Sequence, residues 1–131
     1  RRTGDANTHM IRNAFGASHY IWDGVSPNPY MGMLAWADII LVTADSTSMI
    51  SEAATTGKPV YVLPMAGLTP RQAKLVANLK DHGAVRDYPM RDVSPPTALQ
   101  SWSYPPLHDA QDIAGKIIAL YHARKTALDA D

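Results

Sequence analysis

The stretch Ile39–Pro64 reads IILVTADSTSMISEAATTGKPVYVLP, and its order of residue types decides the fold. Ile39-Ile40-Leu41-Val42 is an apolar, β-branched run of the kind that forms a strand buried on both faces. Asp45 or Ser46 then offers a side-chain oxygen to cap a helix whose first turns carry Thr47, Ser48, Ser51 and Glu52. Gly57 closes that helix, and Pro59 stops it from continuing. Val60 to Leu63 is a second buried strand, ended by Pro64.

Strand, helix and strand in this order form a βαβ unit, so the strands are expected to be parallel with a right-handed crossover. The turn after the first strand then lies at the carboxyl edge of the sheet, where open α/β folds bind ligands. The small polar run Thr43 to Ser48 opens a helix there, and the N–H groups and positive dipole end of such a helix favour a phosphate. Glu52 shares a helix side with Ser48, one turn further on, where a carboxylate can accept hydrogen bonds from sugar hydroxyls. The same residues also read as ordinary caps, with Glu52 a solvated helix charge.

Outward from this unit, helical spacing predicts a helix over Asp5 to Phe15, ended by Gly16. His19-Tyr20-Ile21-Trp22 reads as a short strand before an Asp23-Gly24 turn. Asn28 and Pro29 signal the cap and first position of a helix over Tyr30 to Ala37. Beyond Pro64, Thr69 caps a helix begun by Pro70 and running to about His82, with Ala73, Val76, Ala77 and Leu79 as its apolar face. Gly83 stops it, and Ala84-Val85-Arg86 is a short strand. Pro89 to Pro106 has neither period and reads as an irregular connection pinned by Trp102 and Tyr104. A last helix covers Asp109 to Leu128, with Ile113, Ile117, Leu120 and Tyr121 expected to face inward. Alternation of strands and helices predicts an α/β class with a Rossmann-like parallel sheet, one domain over residues 1–131. Arg1-Arg2-Thr3 without an initiator methionine reads as the start of a piece of a longer protein.

Composition narrows the function. Hydrophobic residues make up 46% and charged residues 18%, which is globular. Twelve basic residues balance twelve acidic ones, so no basic field exists to hold nucleic acid through charge alone. With no cysteine there is no disulfide and no thiolate site, which suits a reducing, cytoplasmic setting. No run approaches a membrane span. The five histidines show no metal-ligand spacing, and neither GxGxxG, a Walker loop nor GxSxG occurs, so no metal, cofactor or catalytic nucleophile is predicted. Arg71 and Gln72 open the helix after the second strand, at the ligand edge of the sheet, and reach a bound sugar or phosphate there or form a solvated face.

Two nested resemblances follow from these residues. Arg1-Arg2-Thr3, Asn28-Pro29-Tyr30, Leu34-Ala35-Trp36-Ala37-Asp38, Val42-Thr43-Ala44-Asp45-Ser46, Met49-Ile50-Ser51-Glu52-Ala53 and Thr56-Gly57-Lys58-Pro59-Val60-Tyr61 resemble the "elongated mitochondria" family of mitochondrial-fission proteins. Trp102-Ser103-Tyr104-Pro105-Pro106-Leu107 is similar to that family's tail. Its bacterial members are commonly labelled predicted nucleoside-diphosphate-sugar epimerases. More broadly, Ser51-Glu52-Ala53, Gly57-Lys58-Pro59, Pro64, Gln72, Asn78, Leu79 and Gly83-Ala84 resemble the C-terminal half of GT-B glycosyltransferases, the peptidoglycan N-acetylglucosaminyltransferase in particular.

The second resemblance implies Glu52 for the nucleotide ribose and the turn Thr43, Asp45, Ser46, Thr47 and Ser48 for the diphosphate, while its place at the ligand edge makes Gln72 the candidate for the sugar. Arg2, placed by the same likeness at the end of an upstream strand, would add a phosphate-binding charge. Asp45 departs from the pattern, standing where transferases carry a small residue. The partner implied is a nucleoside-diphosphate sugar, with catalytic groups supplied by an N-terminal domain outside this chain, for epimerisation or glycosyl transfer. The alternative is an interaction module that keeps the fold without turnover.

Overall fold

The structure is a computed structural model that describes residues 4–90 and 98–128. The chain divides after Ala35 into two compact units. The first contains α1 (Asp5–Phe15) and most of α2 (Tyr30–Trp36). Both follow local signals: the Arg12 carbonyl accepts from Gly16 N–H at the end of α1, and Asn28 Oδ1 accepts from Tyr30 N–H at 3.0 Å to start α2.

The expected strand at His19–Trp22 does not form. A strand needs a neighbour to take its backbone hydrogen bonds, and no strand pairs with these residues, which run as irregular chain into a tight turn. The Asp23 carboxylate organises that turn, accepting from Val25 N–H at 2.9 Å, Ser26 N–H at 2.8 Å and Ser26 Oγ at 2.8 Å. Trp22 Nε1 closes it by donating to the Ser26 carbonyl at 3.0 Å.

The second unit carries β1 (Ile40–Thr43), α3 (Thr47–Ala54), β2 (Val60–Leu63), α4 (Pro70–Asp81), β3 (Val85–Asp87) and α5 (Asp109–Leu128). The three strands form one parallel sheet in the order β1-β2-β3. Ile40 pairs with Val60 and Val60 with Val85, so the pleat places Ile40, Val42, Val60, Val62 and Val85 on one face. All five are buried. Leu41 and Thr43 point to the other face and are exposed, so α3, which packs on β1 and β2, covers the valine face. Alongside it α4 packs on β3 and on α3. Ile50, Ala53 and Ala54 from α3, with Val76 and Leu79 from α4, complete the core.

The opposite face is covered in part by the extended strap 98–106. Trp102 stands edge-on to Tyr61 with ring centroids 5.1 Å apart, and its indole N–H donates to the Gly83 carbonyl at 2.9 Å. The Tyr61 hydroxyl donates to the Gln100 carbonyl at 3.2 Å and accepts from Gln100 N–H at 3.1 Å. Gly57 lets the strap pass closely: its φ is 72°, and a Cβ there would meet Pro106 Cγ at 3.1 Å.

Four expectations need correction. β1 is buried on one face only, because it is an edge strand and the strap spans β2 and β3; Leu41 remains 45% exposed. On α4 the inner face rotates towards Leu75, Val76 and Leu79, leaving Ala73 and Ala77 exposed. Trp36, a residue type expected from sequence to anchor a core or loop, is 88% exposed. Ile113, Ile117, Leu120 and Tyr121 are exposed along α5, which makes no extensive contact with another described element.

Candidate functional site

The β1–α3 turn and the β2–α4 loop both leave the carboxyl edge of the sheet, which brings two helix starts side by side. Between them lies an open cleft of about 580 Å³. Thr47, Ser48 and Ser51 line it from α3, and Thr69, Arg71 and Gln72 from α4, with Leu75 at the inner end. The spacing explains the α3 wall: Thr47, Ser48 and Ser51 fall on one side of a helix whose opposite side carries Ile50, Ala53 and Ala54 into the core.

The two helix starts differ. α4 begins with a complete capping box, in which Gln72 N–H donates to Thr69 Oγ1 at 3.3 Å and Thr69 N–H donates to Gln72 Oε1 at 2.7 Å. Pro70 stands at its first position and has no N–H to satisfy. α3 begins at Ser46 with no side-chain cap, which corrects the expectation that Asp45 or Ser46 caps it: Ser46 sits at φ −97°, ψ 78°, outside the usual cap geometry. The first N–H groups of α3 are therefore not answered by a cap, and that is the electropositive end of the pair. Neither helix carries an acidic residue in its first turn, and Arg71 adds a guanidinium to the lining.

Among the residues singled out from sequence, Thr47, Ser48, Arg71 and Gln72 meet in this cleft. Thr43 ends β1 and accepts the turn-closing hydrogen bond from Ser46 N–H at 3.2 Å. Asp45 is exposed in that turn, and its carbonyl accepts from Gln72 Nε2 at 2.9 Å. Glu52 lines a neighbouring cavity of about 540 Å³, which shares Ser51 and Leu75 with the cleft. Arg2 lies outside the described residues.

Sequence reasoning missed Ser51 and Thr69 as lining groups, although Ser51 follows Ser48 at helical spacing and Thr69 is a cap. It also missed His108 and Gln111, which reach the Glu52 cavity from the start of α5. They come from beyond the strap, so no local pattern announces them. Among the described residues no cluster of histidine, aspartate or glutamate is suited to a metal ion, and no helix is long and apolar enough to cross a membrane.

At the other end of the sheet, the Tyr104 hydroxyl is buried without a hydrogen-bond partner, and burial raises its pKa, an effect the nearby Thr56 hydroxyl opposes. His82 Nε2–H donates to the Pro105 carbonyl at 3.0 Å beside it. These groups fasten the strap and lie at the amino end of β2 and β3, away from the cleft.

Comparison with known proteins places the whole arrangement in context. A family model described as mitochondrial fission ELM1 matches residues 1–121. The mitochondrial fission protein ELM1 of Arabidopsis thaliana is 48% identical over 99 residues, covering 75% of this chain and 22% of that protein. An uncharacterized protein of Rickettsia prowazekii is 35% identical over 119 residues, covering 87% of this chain and 32% of its own length. The chain thus spans about a fifth to a third of the length of these relatives. No solved structure matches it.

Proposed function

The chain belongs to the mitochondrial fission ELM1 family, and from that premise we propose that its second unit binds the diphosphate of a nucleoside-diphosphate sugar. The observation that carries this reading is the uncapped start of α3 facing Arg71 across an open cleft. Helix N–H groups and a guanidinium are complementary to phosphate oxygens in charge and in hydrogen-bond direction. In this reading Ser46, Thr47 and Ser48 amides take the phosphates. Glu52 takes the ribose hydroxyls from the adjoining cavity, which shares Ser51 and Leu75 with the cleft. The resemblance to the C-terminal half of GT-B glycosyltransferases assigns the same roles to the same positions.

Binding does not imply turnover. The described cleft lining contains no carboxylate and no imidazole, and with Glu52 assigned to the ribose the adjoining cavity leaves His108 as its one imidazole, short of the general acid and base that such chemistry uses. Epimerisation or glycosyl transfer would draw those groups from a further domain of a longer protein. Alternatively the unit is an interaction module that keeps the fold without turnover and without a nucleotide, at the organelle that the Arabidopsis relative's name indicates. The exposed Asp45 in the phosphate turn favours this second reading, because its charge opposes a diphosphate.

Calorimetric titration of UDP, GDP, ADP and their common sugars into the chain tests the proposal. Saturable binding, weakened by about 1.5–3 kcal/mol in Glu52→Ala, the range for a hydrogen bond to a charged group, is expected. A similar loss is expected in Arg71→Ala. Absence of binding by all three nucleotide series overturns it.

A further inference from the structure

Gln72 was expected to meet a sugar, yet its carboxamide is already engaged at three points. Oε1 accepts from Thr69 N–H at 2.7 Å and from Thr69 Oγ1 at 2.8 Å, while Nε2 donates to the Asp45 carbonyl at 2.9 Å. The orientation of the amide group is set by its partners, because a backbone N–H can only donate and a carbonyl can only accept. Both acceptor sites are filled, and one Nε2 hydrogen remains for anything entering the cleft.

The bond to Asp45 joins residues 27 apart in sequence and links the starts of two helices. It reaches the turn that most needs support: Ser46 follows Asp45 directly, occupies the cap position of α3 and makes no cap hydrogen bond. We propose that Gln72 is a positioning residue, whose amide ties the β1–α3 turn to the α4 capping box and holds the uncapped α3 start towards the cleft. This rests on the phosphate reading above. The tether substitutes for the missing cap without occupying the first N–H groups of α3, which an ordinary serine cap would consume. It also covers the negative end of the Asp45 carbonyl dipole beside a site meant for an anion.

Two substitutions separate the tether from the cap. Gln72→Glu keeps an acceptor for Thr69, as glutamate serves equally in a capping box, but cannot donate to Asp45. Gln72→Met removes both contacts without adding charge. Hydrogen exchange is measured at the α3 start and along α4, together with affinity for inorganic pyrophosphate.

Both variants are expected to speed exchange of the Ile50 to Glu52 amides, the first of α3 to be hydrogen-bonded, by about fivefold or more, the equivalent of one neutral hydrogen bond, and to weaken pyrophosphate binding. In Gln72→Glu the α4 amides keep their protection. Unchanged exchange at the α3 start in both variants, or unchanged affinity in Gln72→Met, overturns the positioning role. Failure of the unaltered chain to bind pyrophosphate overturns the phosphate reading instead, and with it the purpose assigned to the tether.

Discussion

Removing the Trp102 side chain should release the strap from the sheet, and its size can be worked from three contacts. The edge-on ring pair with Tyr61 at 5.1 Å contributes about 0.5–1.5 kcal/mol beyond area burial. The Arg86 guanidinium lies 4.2 Å above the indole, and at an exposed site that is worth about 0.5–1 kcal/mol. The indole N–H bond to the Gly83 carbonyl, 2.9 Å long, adds about 1 kcal/mol net. Trp102 is only half-buried, so Trp102→Ala belongs at the low end of the usual Trp→Ala range, at about 3 kcal/mol.

Trp102→Phe keeps a ring against Tyr61 and Arg86 and loses only the donor, for about 1 kcal/mol. Urea unfolding followed by far-UV circular dichroism measures both, and avoids the fluorescence of Trp22 and Trp36. A Trp102→Ala loss below about 1 kcal/mol would refute the reasoning, because the aromatic contacts would then contribute nothing. Equal losses for the two variants would show that the N–H bond alone matters.

Gly57→Ala is expected to cost about 1–2 kcal/mol from its left-handed backbone alone, with further loss from the Pro106 contact; a melting temperature equal to the parent's would contradict this. Ile50 is fully buried in the α3 face, so Ile50→Ala should destabilise the chain by about 2–5 kcal/mol, read from the same urea curves. Asp23 accepts hydrogen bonds from Val25 N–H first and from Ser26 second, which lower its pKa from 3.8 to about 2. A depressed folded pKa means the turn's support is complete above the ordinary value of 3.8 and fades as pH falls through about 2. Carbon-detected NMR titration of the Asp23 carboxyl checks it, and a midpoint near 3.8 would contradict it.

Local signals carried the sequence reading far. The β1–α3–β2 passage, the Thr69-Pro70-Gln72 start of α4 and the limits of α1 and α5 are all written in caps, prolines, glycines and periodicity. Each depends on residues within a turn of one another. What escaped depends on neighbours distant in sequence. His19–Trp22 has strand-forming residues but no strand beside it, and β1 has the composition of a central strand but lies at an edge. The α5 stripe is amphipathic, and periodicity says which residues share a side without saying what covers them. At the candidate site, the polar residues of the turn and Arg71 were legible, whereas the missing Ser46 cap and its replacement by Gln72 follow only from the folded arrangement.

The Tyr61 hydroxyl, clamped by the backbone of Gln100, joins positions 39 residues apart. Parallel β1–β2 and β2–β3 pairs already demand the closure of helix-sized loops, and such non-local pairing slows folding. The strap can find Tyr61 only after β2 and β3 exist to present it and Gly83, so it should dock last. Until then one side of β2 is bare to the solvent in the nascent chain, with Tyr61 and Leu63 uncovered. That interval makes the strap's arrival, rather than the assembly of the sheet, the step at which a growing polypeptide escapes association with its neighbours.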